Sequence, residues 1–291
     1  MGRDVGRGCL ERWRARRTVR RGRTLRAVAR AAGLSVMGLA LVLPFVAFAL
    51  NAFSRQWFYP QLVPDTWSLE AWARIFSARS RVPEALFNSA VIALTVTLAS
   101  VVIGLPAGRA LGMHRFPGKR VLEFLIFVPT MVPPLAVGMG LSVNFLRLGL
   151  GGTLLGVALA HLVPVTPYVV LTLSGVFANY SPAHEEQART LGAGPLAVLW
   201  YITLPAIFPG LVVASLFAFL ISWSQYVLTF LVGRGQVIAL PVLLFSSIPG
   251  GDNANIAAQS LLFIGPAVLI LLLTSRYLSG ERAAVQGFGR L

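Results

Sequence analysis

Apolar positions in this chain fall in long unbroken runs, not in alternation, and polar positions gather between the runs. The stretches that reach or approach membrane-spanning length are Ala31–Phe53, Leu86–Gly108, Phe124–Leu146, Leu154–Phe177, Pro209–Val232 and Ala257–Tyr277. A helix needs about 20 mostly apolar residues to cross a bilayer at 1.5 Å rise per residue. Continuous runs argue against a barrel, whose strands alternate, and backbone groups in lipid must pair within their own segment. The pattern predicts an all-α polytopic membrane protein with six transmembrane helices over residues 31–280. Tails of 1–30 and 281–291 flank it.

The loops between the runs predict topology. Arg109, Arg115, Lys119 and Arg120 crowd the second connection, and His184 and Arg189 lie in the fourth. Arg276, Arg282 and Arg290 follow the sixth run, whereas Arg147 and Arg234 are the lone bases of the third and fifth connections. Cytoplasmic loops carry the excess of Lys and Arg, so both termini are expected to face the cytoplasm. Residues 54–85, with Arg55, Arg74, Arg79 and Arg81, run against this, but the basic N-terminal tail outweighs them. Within that segment Leu69, Trp72, Ala73 and Phe76 recur at helical spacing, which predicts a short amphipathic helix on the membrane surface. Trp57, Phe58, Tyr59 and Trp67 suit the headgroup layer.

Composition sharpens the picture. Of 291 residues 56% are hydrophobic and 12% charged, about half the charged share of a soluble domain; mean hydropathy is +0.74. The net charge of +15 is concentrated in eleven arginines from Arg3 to Arg30. Such a block binds nucleic acid or flanks a first helix. With Trp13 its only aromatic, it lacks the rings that stack on bases, and the flank reading is preferred. Ala47, Phe48 and Ala49 have the form of a signal-cleavage site, but the long basic region and the runs that follow favour a retained helix. Cys9 is alone, so no intrachain disulfide is available, and His114, His161 and His184 fit no metal-ligand spacing.

The segment 181–205 is the most informative. Ser181 and Pro182 predict a capped helix start, Glu185 and Glu186 suit its first turn, and Gly192 ends it in a left-handed conformation. Pro195 starts a second short helix and Pro205 is expected to halt it. Two capped helices with an acidic start and a glycine break suit a rigid plug that enters a partner's groove.

This segment resembles the permease subunits of bacterial ABC importers, marked by Glu-Ala-Ala, three residues, Gly, nine residues, Ile-x-Leu-Pro. Here the pattern reads Glu186, Gln187, Ala188, then Gly192, then Ile202, Leu204 and Pro205, with Gln187 the one departure. Leu86 to Ser89, Arg115 to Lys119 and Trp223 to Tyr226 also resemble the family, and the order of elements is most similar to its polyamine (spermidine/putrescine) type. Iron, thiamine, phosphonate and sugar importers are close relatives. The resemblance implies the type I importer permease fold and a coupling helix, with Glu185, Glu186, Gln187, Ala188, Gly192, Ile202, Leu204 and Pro205 docking on a separate ATPase dimer. It also implies a second permease subunit, a substrate-binding protein and ATP with Mg in the partner subunit. The chain itself has no phosphate-binding Gly-x-x-x-x-Gly-Lys-Ser/Thr loop.

Inside the runs, Asn144, His161, Trp223, Gln225, Tyr226 and Gln259 are the polar or amphipathic candidates for a translocation pathway. Hydrogen bonding between helices is the competing role. A secondary transporter would carry ionisable groups at mid-membrane to couple ions; no Asp or Glu lies deep in a run, and His161 is the candidate that remains. A membrane-embedded enzyme would need a nucleophile–base set that is not found. Gly104-x-x-x-Gly108 and Gly152-x-x-x-Gly156 are candidate close-packing sites.

Overall fold

A computed structural model describes residues 30–280 except 56, 58, 59 and 62. The basic tail with Cys9 and Trp13, the C-terminal Arg282 and Arg290, and the anchors Phe58 and Tyr59 lie outside the described residues.

Helix α1 (Arg30–Ala52) is apolar over most of its length, and none of its most apolar window is buried in the chain. The outer segment that follows forms α2 (Glu70–Ile75), which buries Ala71 and Ile75 while Leu69 and Phe76 stay exposed. Of the face expected from Leu69, Trp72, Ala73 and Phe76, only Trp72 packs against the core. Ala71 and Ile75, four residues apart, join the core formed with Trp223, Leu240 and Ala257.

Helices α3 (Val82–Met113) and α6 (Leu154–Ala178) form the main seam. Gly104, Gly108 and Gly112, one on each successive turn, face Val169, Leu173 and Phe177 with no room for a Cβ. The Gly104-x-x-x-Gly108 pair is thus a packing site. Gly152-x-x-x-Gly156 is not a helix–helix seam: Gly152 precedes α6 with a left-handed φ of 74° and stands against the Gln236 side chain, and Gly156 stands against the Leu150 carbonyl of the loop before the helix.

The third apolar run is not one straight span. Helices α4 (Lys119–Met131) and α5 (Pro134–Arg147) meet at 92°. Val132, which precedes a proline, is extended with ψ 134°, because the Pro133 ring excludes the helical conformation there. Among the described residues, five helices are long and apolar enough to cross a membrane, or six if the bent pair counts as one span.

Helix α7 (Ala183–Thr190) precedes α8 (Pro195–Val198), a π turn (Leu199–Thr203), α9 (Leu204–Trp223) and α10 (Val227–Gly233). Residues Pro195–Trp223 run as one continuous helix, so Pro205 does not halt it. A proline removes a donor and presses on the turn before it. That turn is widened here, with the Leu204 N–H reaching five residues back to the Leu199 carbonyl. Nor does the predicted span Pro209–Val232 hold: the helix ends at Trp223, and Ser224 to Tyr226 separate α9 from α10. Helix α11 (Leu240–Ser247), continued by a 3₁₀ turn (Ile248–Gly250), is too short to span and was not anticipated. It is held at its start by α3, where Ser89 Oγ accepts the Leu240 N–H at 2.7 Å and Asn88 donates to the Ile238 carbonyl at 3.0 Å. Helix α12 (Asn253–Gly280) completes the bundle.

Candidate functional site: a projecting helical hairpin and a broken span

The hairpin formed by α7 and α8 is built as the sequence predicts at its turn and differently at its start. Gly192 takes φ 89°, and the Ala193 N–H donates to the Ala188 carbonyl at 3.0 Å, which closes the C-terminus of α7. At the other end Pro182 is the N-cap and no side chain caps the helix, so Ser181 does not play that part.

The two adjacent acids separate. Glu186 is exposed, as are Gln187 and Gly192, whereas Glu185 is 2% exposed. Glu185 Oε2 accepts from Arg109 Nη2 of α3 at 2.5 Å, and Oε1 accepts from Thr203 Oγ1 of the π turn at 2.7 Å. Arg189, one turn on, lies 3.7 Å from the same carboxylate. Burial alone would raise the Glu185 pKa, but the hydrogen bonds from Arg109 and Thr203 outweigh it and hold the carboxyl below the ordinary range. The buried Tyr180 hydroxyl has no well-aligned partner, yet stands near enough to this cluster to feel its charge; burial chiefly raises its pKa. Glu185 therefore faces inward and ties α7 to α3 and to the start of α9. Arg109 was read from sequence only as a topology marker, and nothing local reveals that it meets an acid 76 residues away.

Beside the exposed Glu186 and Gln187, the hairpin and the π turn after it bare large apolar side chains. Leu191 is 89% exposed, Leu196 72%, Trp200 64% and Tyr201 82%. Ala188, Ile202 and Leu204 are half-buried and Pro205 is exposed. Large apolar side chains left exposed in this way are the kind of surface that a partner covers.

The intramembrane candidates also divide. Trp223 is buried, stacked between Phe219 and Phe263, and donates to the Phe263 carbonyl at 2.9 Å. Gln259 is buried, accepts from Ser247 at 3.2 Å and donates to Asn255 at 3.4 Å. His161 is buried between Ser222 and Thr229. Asn144 is exposed and bonds back to the Gly140 carbonyl of its own helix. Tyr226 packs on Phe230 and Phe245. Gln225, inside the break, lines a cavity of about 190 Å³ with Thr130, Val132, Pro164, Tyr168 and Leu228. The structure brings Gln225 to the bend of α4–α5 and leaves Asn144 and Gln259 apart from it.

A multi-pass helical bundle with interrupted spans, and a helical hairpin that bares large apolar side chains, defines a protein of the membrane-transport class. The chain belongs to the family of binding-protein-dependent transport system inner membrane components, whose defining pattern matches residues 100–279. It is similar to the molybdenum transport system permease protein ModB of Mycobacterium tuberculosis, 31% identical over 242 residues that cover 78% of this chain and 88% of that one. It is also similar to the spermidine/putrescine transport system permease protein PotC of Haemophilus influenzae, 25% identical over 234 residues, 80% of this chain and 90% of that one. Its fold matches a chain of a bacterial ABC transporter involved in the import of the acidic polysaccharide alginate, with a TM-score of 0.70, 19% identity, and coverage of 86% of this chain and 95% of that chain. The protein is a permease component of an ABC importer with the type I fold.

Proposed function

We propose that this chain forms half of the translocation pore of a small-solute importer and that the tip of the α7–α8 hairpin docks on a separate ATPase subunit. The observation that carries this reading is the exposed set Leu191, Leu196, Trp200 and Tyr201 on a hairpin whose other side is locked by Glu185. ATP and Mg belong to that partner; closure of the ATPase pair moves the hairpin, and the second permease subunit completes the pore. A binding protein delivers the solute from outside. Expected result: Leu191→Glu combined with Tyr201→Glu leaves the chain in the membrane at normal abundance but reduces ATPase co-purification at least tenfold. Undiminished co-purification from both single and double variants would sink the docking role.

The solute reading is narrower than the family. A polyamine-type solute is supported by the likeness to PotC, a molybdenum oxyanion by the likeness to ModB. The lining around Gln225 offers Thr130, Tyr168 and Gln225 as its neutral polar groups and no carboxylate. If the solute is a polycation, its charge is recognised mainly by the binding protein or the second subunit.

Both termini are read as cytoplasmic, which places the hairpin and the ATPase on the same side. Reporter fusions after Arg30 and after Arg282 are expected to give cytoplasmic signals; an external signal from either reverses the assignment.

A further inference from the structure

The break between α9 and α10 has no proline or glycine to cause it, since residues 220–230 contain neither. Breaking a helix in a membrane frees backbone groups that lipid cannot satisfy, so something in the protein must hold this one open. His161, on the neighbouring α6, sits beside it. Its Nδ1 lies 3.0 Å from Ser222 Oγ, just before the break, and its Nε2 lies 2.9 Å from Thr229 Oγ1, just after it. The Thr229 hydroxyl in turn meets the Gln225 carbonyl at 2.6 Å, inside the break.

The proton count fixes the direction of this chain. A hydroxyl has one hydrogen. Thr229 gives its hydrogen to the Gln225 carbonyl, so it accepts from His161 Nε2–H. A neutral imidazole then has one nitrogen left as acceptor, Nδ1, and Ser222 donates to it. Every polar atom of the set is satisfied, and the space around it, walled by Ile92, Ala239 and Pro241, has no room for water. The freed Gln225 carbonyl is satisfied by a side chain, and the two ends of the break are bridged through one ring.

We propose that His161 is a positioning residue for the pathway: it staples α9 to α10 through Ser222 and Thr229 and thereby sets the backbone from which Gln225 projects into the cavity between α5, α6 and the bend at Val132. This inference rests on the reading of Gln225 as a pathway residue. His161 itself touches no solute.

The experiment uses the full importer in membranes, with Cys9→Ser and Gln225→Cys in this chain; the introduced thiol side chain keeps the backbone carbonyl that Thr229 holds. The probe is a small water-soluble methanethiosulfonate, and its labelling rate is read with the ATPase nucleotide-free and trapped with ADP and vanadate. A difference between the two states is expected in this Cys9→Ser, Gln225→Cys background. Added to it, Thr229→Val, which keeps the shape and loses the hydroxyl, and His161→Phe are expected to shrink that difference at least tenfold at normal abundance, while Thr229→Ser preserves it. If Thr229→Val and His161→Phe keep the full difference, the staple is wrong although the pathway reading stands. If Thr229→Ser fails as badly as Thr229→Val, the hydroxyl is not the working group and the proposal is overturned. If the Gln225→Cys background is unreactive in both states, the pathway reading fails, and the positioning role with it.

Discussion

Glu185→Lys is expected to abolish transport while the chain still inserts. The lysine would face Arg109 and Arg189 in a pocket where the native carboxylate is 2% exposed and bonded on both oxygens. Removing one partner of a buried ion pair costs ~3–5 kcal/mol. Arg109 keeps 29% of its side-chain exposure, so the lower end of that range applies, which shifts the seating of α7 by on the order of a hundredfold. The charge-swapped pair Arg109→Glu with Glu185→Arg should recover part of the activity, which separates a lost tie from general damage. Wild-type transport by Glu185→Lys at equal membrane abundance would show that the tie does not matter.

The same residue gives a pH dependence of definite sign. Its native pKa is lowered, so the tie contributes fully above the unfolded carboxylate value of about 4.3 and is lost as pH falls through the lower native value. A spin label at the exposed Gln187 should show unchanged mobility between pH 8 and 6 and rising mobility in the acid range. In Glu185→Gln the label should be more mobile at neutral pH and respond less to acid.

The second large effect is expected at the α3–α6 seam. A Cβ at Gly112 would stand 2.6 Å from the Ser174 carbonyl oxygen and 3.0 Å from the Ala178 nitrogen, and one at Gly108 would stand 3.0 Å from the Ser174 nitrogen. Backbone cannot rotate out of the way, so Gly112→Ala and Gly108→Ala must part the helices, at about 1–3 kcal/mol for an overpacked site. At Gly104 the nearest atom is Val169 Cγ1 at 2.6 Å, a side chain that can turn, so Gly104→Ala should be milder. Gly175→Ala, with nothing within 4 Å, is the control and should be neutral or stabilising, because alanine favours helix by about 1 kcal/mol. Thermal unfolding in detergent reads the order. Equal effects at Gly112 and Gly175 would mean that the seam is looser than its close contacts imply.

What the sequence made legible follows the strength of its punctuation. Long apolar runs locate the spans and Gly192 locates the hairpin turn, because each reflects a local constraint: bilayer thickness in one case, positive φ in the other. The double proline at 133–134 was visible, but whether it kinks or splits a span depends on what packs beside it. The break at 224–226 carries no such mark; Ser222, Thr229 and His161 hold it from 61 to 68 residues apart along the chain, and no local reading pairs them. Glu185 and Glu186 look alike in sequence. Only the position of Arg109 decides that one turns inward and the other stays outside. The polar residues Gln259 and His161, taken as pathway candidates, are satisfied by neighbouring helices in the buried interior, which is the other solution open to a polar group at that depth.

The unbroken helix from Pro195 to Trp223 has a mechanical consequence. Its 29 residues make a rod of about 44 Å at 1.5 Å per residue, with the apolar tip near one end and the break at the other. Such a rod does not stretch, so a push on the tip arrives at Ser224 as displacement of similar size, without a soft joint to absorb it. The widened turn at Leu199–Thr203 lies close to the hairpin, where Thr203 is pinned to Glu185. Motion of the hairpin would therefore reach the stapled break at Ser224 to Tyr226 as a shift of the whole rod, carrying Gln225 and its side of the cavity with it.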